Sequence, residues 1–139
     1  MNKTLRNKAL RQTNKLIVAT DGQNDWYAPD GYFAIKHNIY DGYRMTKAQI
    51  EATSQVTGKP NIEQIITSMN TKPAKPKKVI FMDTERMRIG TELVDTVYFD
   101  LVSDIYPDAV YEYDATRRLA PIAVKQNGEL VGLLMPVRS

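Results

Sequence analysis

The sequence predicts an α+β fold: a single domain of two pseudo-repeated halves, with helices packed on antiparallel sheets. Segments with helical spacing of apolar residues alternate with short β-branched runs. Turn residues separate those runs closely enough to join antiparallel neighbours. The order of elements before a Pro/Lys-rich connector at residues 72–78 is repeated after it, so the halves are taken as residues 1–71 and 79–139 of one domain spanning 1–139.

Residues 3–13 lack Gly and Pro and consist of good helix formers, which predicts a helix with Leu5, Ala9 and Leu10 inward. Lys8, Arg11 and Lys15 recur at helical spacing on its outer side, and Lys3 adds to the same basic end. Residues 15–20 form a β-branched apolar run, a strand ended by Asp21-Gly22. Trp26-Tyr27 leads to a second turn at Pro29-Asp30-Gly31, and residues 32–36 read as the next strand. Thr46 caps a helix over 47–53, which Gly58-Lys59-Pro60 closes off. Asn61 caps another over 62–69, with Ile62, Ile65, Ile66 and Met69 on one side.

The connector 72–78 reads as an extended, solvated loop. After it, residues 78–82 form a strand that 84–89 continues or pairs with. Residues 97–106 have helical spacing, and Pro107 stops them. Strands follow at 109–114, 121–125 and 130–137, the last two joined by a hairpin turn on Asn127-Gly128. Proline favours a strand end or sheet edge, so Pro136 predicts that the chain finishes on an exposed edge, with Met135, Pro136 and Arg138 accessible. Both faces of that last strand are apolar. Either a partner or a neighbouring loop, such as 40–60, therefore covers the second face.

Composition narrows the function. With 139 residues the chain holds one ordinary core. It has no cysteine, which excludes disulfides, thiolate metal sites and a cysteine nucleophile, and which fits a cytoplasmic location. One histidine, His37, excludes a multi-histidine zinc centre. No apolar run reaches the length of a membrane span, and the basic N-terminus lacks a secretory apolar core. The net charge of +3 is unevenly spread: residues 1–15 and 72–78 carry bases and no acid, whereas 95–114 carry six acids and no base. Such zoning suits a polyanion on one face and a basic partner on another, although any single charged run is by default a solvated face.

Residues 95–102, the strand that follows to Asp114, residues 120–124 and the closing Leu-Leu-Met-Pro-Val-Arg at 133–138 resemble the last part of a bacterial sliding clamp, the beta subunit of DNA polymerase III. Val18-Ala19-Thr20-Asp21-Gly22 resembles a strand end in the same family. The resemblance spans about residues 79–138, more thinly 3–35, and does not extend to 40–78. It implies a DNA-clamp-like domain of two βαβββ-like halves with helices on one face and sheets on the other. It implies that double-stranded DNA is held by Lys3, Lys8, Arg11 and Lys15, and that replication-protein peptides dock at Thr20, Gly22, Met135, Pro136 and Arg138. The family builds a six-domain ring, so one domain per chain implies homo-oligomerisation. The brevity of the chain suggests a phage or mobile-element origin. Two features depart from the family: the second helix is acidic (Asp95, Asp100, Asp104), and Gln23-Asn24 stands where the family has His-Arg.

Catalytic readings are outweighed by simpler ones. Asp21, Asp25 and Asp30 offer oxygen ligands, but Asp-Gly pairs form turns and the spacing is not that of a calcium loop. His37 has no nucleophile or acid at a recognisable spacing, and Gly58-Lys59 lacks the rest of a phosphate loop. Trp26, Tyr27, Tyr32, Phe33, Tyr40 and Tyr43 could stack bases, although at least half belong to the core. The expectation is a non-enzymatic protein with no cofactor and no metal: a clamp-like replication accessory factor, or alternatively a protein-interaction module of the same fold that does not encircle DNA.

Overall fold

The computed structural model of the chain describes residues 17–20, 25–28, 33–36 and 61–138. The predicted helices at 3–13 and 47–53 lie outside the described residues. Within them the class is α+β. Ten strands and two helices run in the order β1 (Ile17–Thr20), β2 (Asp25–Ala28), β3 (Phe33–Lys36), α1 (Ile62–Ser68), β4 (Lys72–Pro73), β5 (Lys77–Phe81), β6 (Thr84–Ile89), β7 (Glu92–Asp95), α2 (Thr96–Ile105), β8 (Val110–Tyr113), β9 (Ile122–Gln126) and β10 (Glu129–Leu134). Every strand pairing is antiparallel. A seven-stranded sheet has the order β1-β2-β3-β10-β9-β8-β4, and a three-stranded sheet the order β5-β6-β7.

The large sheet consists of two meanders, β1-β2-β3 and β8-β9-β10, joined where β3 pairs with β10. Its two faces are sorted by side-chain size. On one face the rows Phe33–Leu134–Ile122 and Ile35–Gly132–Val124 lie in register across three strands. They meet Val102 and Ile105 of α2, its cap residue Tyr106, and Met87, Ile89 and Val94 of the small sheet, in the main core. On the other face Leu133 lies between Ala34 and Ala123. There Ile62, with Ile65, Ile66 and Met69, packs α1 onto Trp26, Ala34 and Leu133. The small alanines leave room for a helix where the main core has large residues. Full burial of a side chain such as Leu134 contributes about 1.5–3 kcal/mol.

A bulge in β10 makes this sorting possible. The register steps from Leu130↔Lys125 to Gly132↔Val124, so Val131 is an extra residue. Strict alternation would put Val131 and Leu133 on one face. With the bulge, Val131 and Leu134 serve the main core while Leu130 and Leu133 serve α1. A Cβ on Gly132 would lie 3.3 Å from the Ala34 carbonyl oxygen, so a side chain there crowds the neighbouring strand.

Several expectations are corrected. The last strand ends at Leu134 and lies between β3 and β9 rather than at an edge. Its second apolar face is covered by α1. The terminal segment crosses to the small sheet, where the Val137 N–H donates to the Leu93 carbonyl at 2.7 Å. The two described helices pack on opposite faces of the large sheet, while the helix expected at 3–13, which the resemblance sets on one face with the helix at 97–106, lies outside the described residues. The connector is partly structured: Lys72–Pro73 pairs with β8 as an edge strand, and β5 begins at Lys77. β2 and β7 have no counterpart in the sequence reading. Trp26 and Phe33 are buried, as expected of core aromatics. Among the described residues no helix is long and apolar enough to cross a membrane.

Candidate functional site

The expected duplex-binding cations Lys3, Lys8, Arg11 and Lys15 lie outside the described residues, as do Gly22, Asp21, Asp30, His37 and Gly58. Thr20 is the last residue of β1, paired with Asp25. Through the registers of β2, β3 and β10 it falls at the end of the sheet where β9 turns into β10. Met135 leaves β10 at the opposite end, three strands away. The fold therefore does not bring Thr20 beside Met135 and Pro136. Met135 and Pro136 are half-buried, Arg138 is exposed, and Val137 between them is bonded to β7.

The acidic groups near this end are occupied structurally. Asp114, 1% exposed, directly follows β8. Its Oδ1 accepts hydrogen bonds from the Thr116 hydroxyl and from the Thr116 backbone N–H, and its Oδ2 from Arg117 Nε at 3.1 Å. Arg117 also donates to the carbonyl of Ser68 at the end of α1, at 3.3 Å. The Thr116 hydroxyl first, then the Thr116 N–H, hold the Asp114 carboxyl well below the usual carboxylate range; burial opposes them, and Arg117 and the Asn70 N–H add to the lowering. Glu92, also buried, accepts from the Leu119 N–H at 2.7 Å and so steadies a left-handed residue at φ +60°. Among the described residues no group of acids or histidines could hold a metal ion.

Tyr111 is a third buried polar group. Desolvation pushes its pKa up to about 12; the Ser103 side chain beside it opposes the rise and Asp100 adds to it. Its ring packs on Phe99 with centroids 4.9 Å apart, so it serves the core as a neutral phenol. An open, mostly apolar groove of about 380 Å³ lies nearby, lined by Pro73, Ala74, Lys75, Pro76, Ala109, Val110 and Tyr111.

Among the described residues the most exposed large apolar groups stand on the β5–β6 hairpin. Met82 and Asp83 form its two-residue turn with φ +48° and +62°. Ile80 is 78% exposed and Met82 82%. Met87, Ile89 and Val94 place one face of the small sheet in the main core. Register puts Lys77, Val79 and Phe81 of β5 and Thr84, Arg86 and Arg88 of β6 on the other face. There Arg86 pairs with Asp95 at 3.5 Å. Lys77 and Arg88 lie directly opposite each other, and no described carboxylate pairs with either. The run of lysines at 72–78 was visible in the sequence. Its juxtaposition with Arg88 was not, because it depends on a hairpin whose Met-Asp turn carries no common turn signature.

No known family model matches the chain, and neither does any curated protein or solved structure.

Proposed function

We propose that this chain is a clamp-like accessory protein of DNA replication, which acts by holding double-stranded DNA and docking partner peptides rather than by catalysis. The observation that carries the reading is the joining of two three-strand meanders through antiparallel β3 and β10. Equivalent last strands that pair antiparallel are what two pseudo-repeated halves related by a local two-fold would give. The second half also runs strand, helix and three strands from β7 to β10, over the residues that resemble a sliding clamp. The basic stripe Lys3, Lys8, Arg11 and Lys15 supplies phosphate contacts that are independent of sequence.

Topology offers a direct test. A ring built from single-domain chains is a closed multimer, about six copies. It should be retained on nicked circular plasmid and lost when the same plasmid is cut. Replacing Lys8, Arg11 and Lys15 with Glu should abolish retention. A monomeric native mass with no DNA retention at low salt would refute the clamp reading.

A second reading, a protein-interaction module that does not encircle DNA, is favoured by the β5–β6 turn. Met82 is both highly exposed and held at φ +48°. Both features are unfavourable for methionine in isolation, and both suit an apolar tip that inserts into a partner. A monomer that captures partner peptides, and loses them in Met82→Asn, is the outcome that reading expects.

A further inference from the structure

We infer that the outer face of the three-stranded sheet is a binding site for single-stranded nucleic acid, with Lys77 and Arg88 taking phosphates and Phe81 taking a base. This site goes beyond the duplex reading above and does not depend on it.

Like charges placed directly opposite on adjacent strands repel each other. Lys77 and Arg88 are such a pair, both exposed. The neighbouring row differs: Arg86 there is matched by Asp95. On the inner face of the same hairpin Lys78 is matched by Glu85 at 3.4 Å. The uncompensated cations thus fall on one row of one face. Lys75, exposed two residues upstream, extends the positive charge, and none of the described carboxylates pairs with it. An anion seated between Lys77 and Arg88 would turn their repulsion into attraction for both.

Phe81 decides the kind of anion. It shares the face of Lys77, about 13 Å further along β5 at the usual rise per residue. Its cross-strand neighbour is the small Thr84, and β7 ends at Asp95 opposite Arg86, so among the described residues no third strand flanks it. The ring is half-buried, which leaves part of it open to a flat ligand. Cations spaced from an aromatic along a strand match phosphates and an unstacked base. A duplex presents phosphates but keeps its base faces covered. An acidic peptide presents carboxylates and no base.

The test is fluorescence anisotropy with a labelled thymidine homopolymer over a salt series, on the full chain. The double variant Lys77→Gln/Arg88→Gln should bind at least about ten-fold more weakly at low salt, and the slope of log affinity against log salt should shrink by about 1.4, two single-strand phosphates' worth. Phe81→Ala should weaken binding about five-fold or more with the slope unchanged, while Phe81→Tyr restores it. Unchanged melting temperatures confirm that the variants are folded, and Phe81→Leu, which keeps the bulk but not the aromatic face, serves if Phe81→Ala is not. Wild-type affinity in the double variant, equal binding of a duplex with no effect of Phe81→Ala, equal competition by polyglutamate, or no binding at low salt would each overturn the site. Retention on circular duplex should be unchanged in the double variant, which keeps this result separate from the clamp test.

Discussion

Asp114 organises the turn that carries the chain from β8 to β9. A buried carboxylate that receives hydroxyl, backbone and guanidinium donors is stable only while ionised. Its pKa is lower in the folded than in the unfolded chain. Its contribution is therefore complete above the ordinary aspartate value of about 3.9 and is lost as pH falls below it. The stability gap between wild type and Asp114→Asn in urea titrations should accordingly narrow steadily below about pH 4. A gap that stays constant into acid would show that the charge is not what the loop depends on. In the sequence Asp114 reads merely as the last acid of an acidic zone, although its main donors, Thr116 and Arg117, lie two and three residues on; only the burial and the Asn70 N–H depend on distant chain. Gly90 is similar. It holds φ +63°, and a Cβ there would collide with the Tyr113 ring. Lys72 lies over the same ring, 5.5 Å from its centroid. The requirement for glycine at position 90 is set by a side chain in another sheet.

Elements whose signals are local are legible in the sequence. Asn61 does cap α1, accepting from the Gln64 N–H at 3.0 Å. Asn127-Gly128 does form the β9–β10 turn, with φ +54° and +78°. Asp95 caps α2 through the Val97 N–H at 2.9 Å, although the sequence reading takes it only as one of that helix's acids. Replacing Asn61 with Ala should cost about 1 kcal/mol, while Asn61→Asp should cost little, since aspartate accepts the same bond and suits a helix N-terminus. Thermal melts of the two variants check this, and equal losses would point to a role outside the cap. The only local signal for β7 is the two-residue Gly90-Thr91 turn before it, a spacing that suits a hairpin. In β4, Pro73 argues against a strand; it is tolerated at the sheet edge, where one side needs no partner.

At the scale of the whole molecule the two sheets are tied by α2, packed between them, and by the C-terminal segment, which leaves β10 and bonds to β7. Deleting residues 135–139 removes the Val137–Leu93 hydrogen bond and the partial burial of Met135, Pro136 and Val137. The expected loss is about 2 kcal/mol in urea unfolding. Full stability after truncation would mean that the segment is free to serve a partner. The ion pairs Lys36–Glu129 at 3.3 Å and Lys125–Glu112 at 3.0 Å join neighbouring strands, each with one largely buried and one more exposed partner.

The sequence alone determined the class, most of the described element positions, the Asn61 cap of α1 and the Asn-Gly hairpin. Each of these follows from periodicity or from residues within a few positions of one another. Tertiary structure decided the rest. It decided that β10 lies inside a sheet, that a bulge at Val131 divides its leucines and valine between two helices, and that Thr20 and Met135 stand at opposite ends of that sheet. It also decided that Lys77 and Arg88 face each other without a described counterion. Strand order and register set these relations between residues distant in sequence, and a shift of one residue would reverse every face they define.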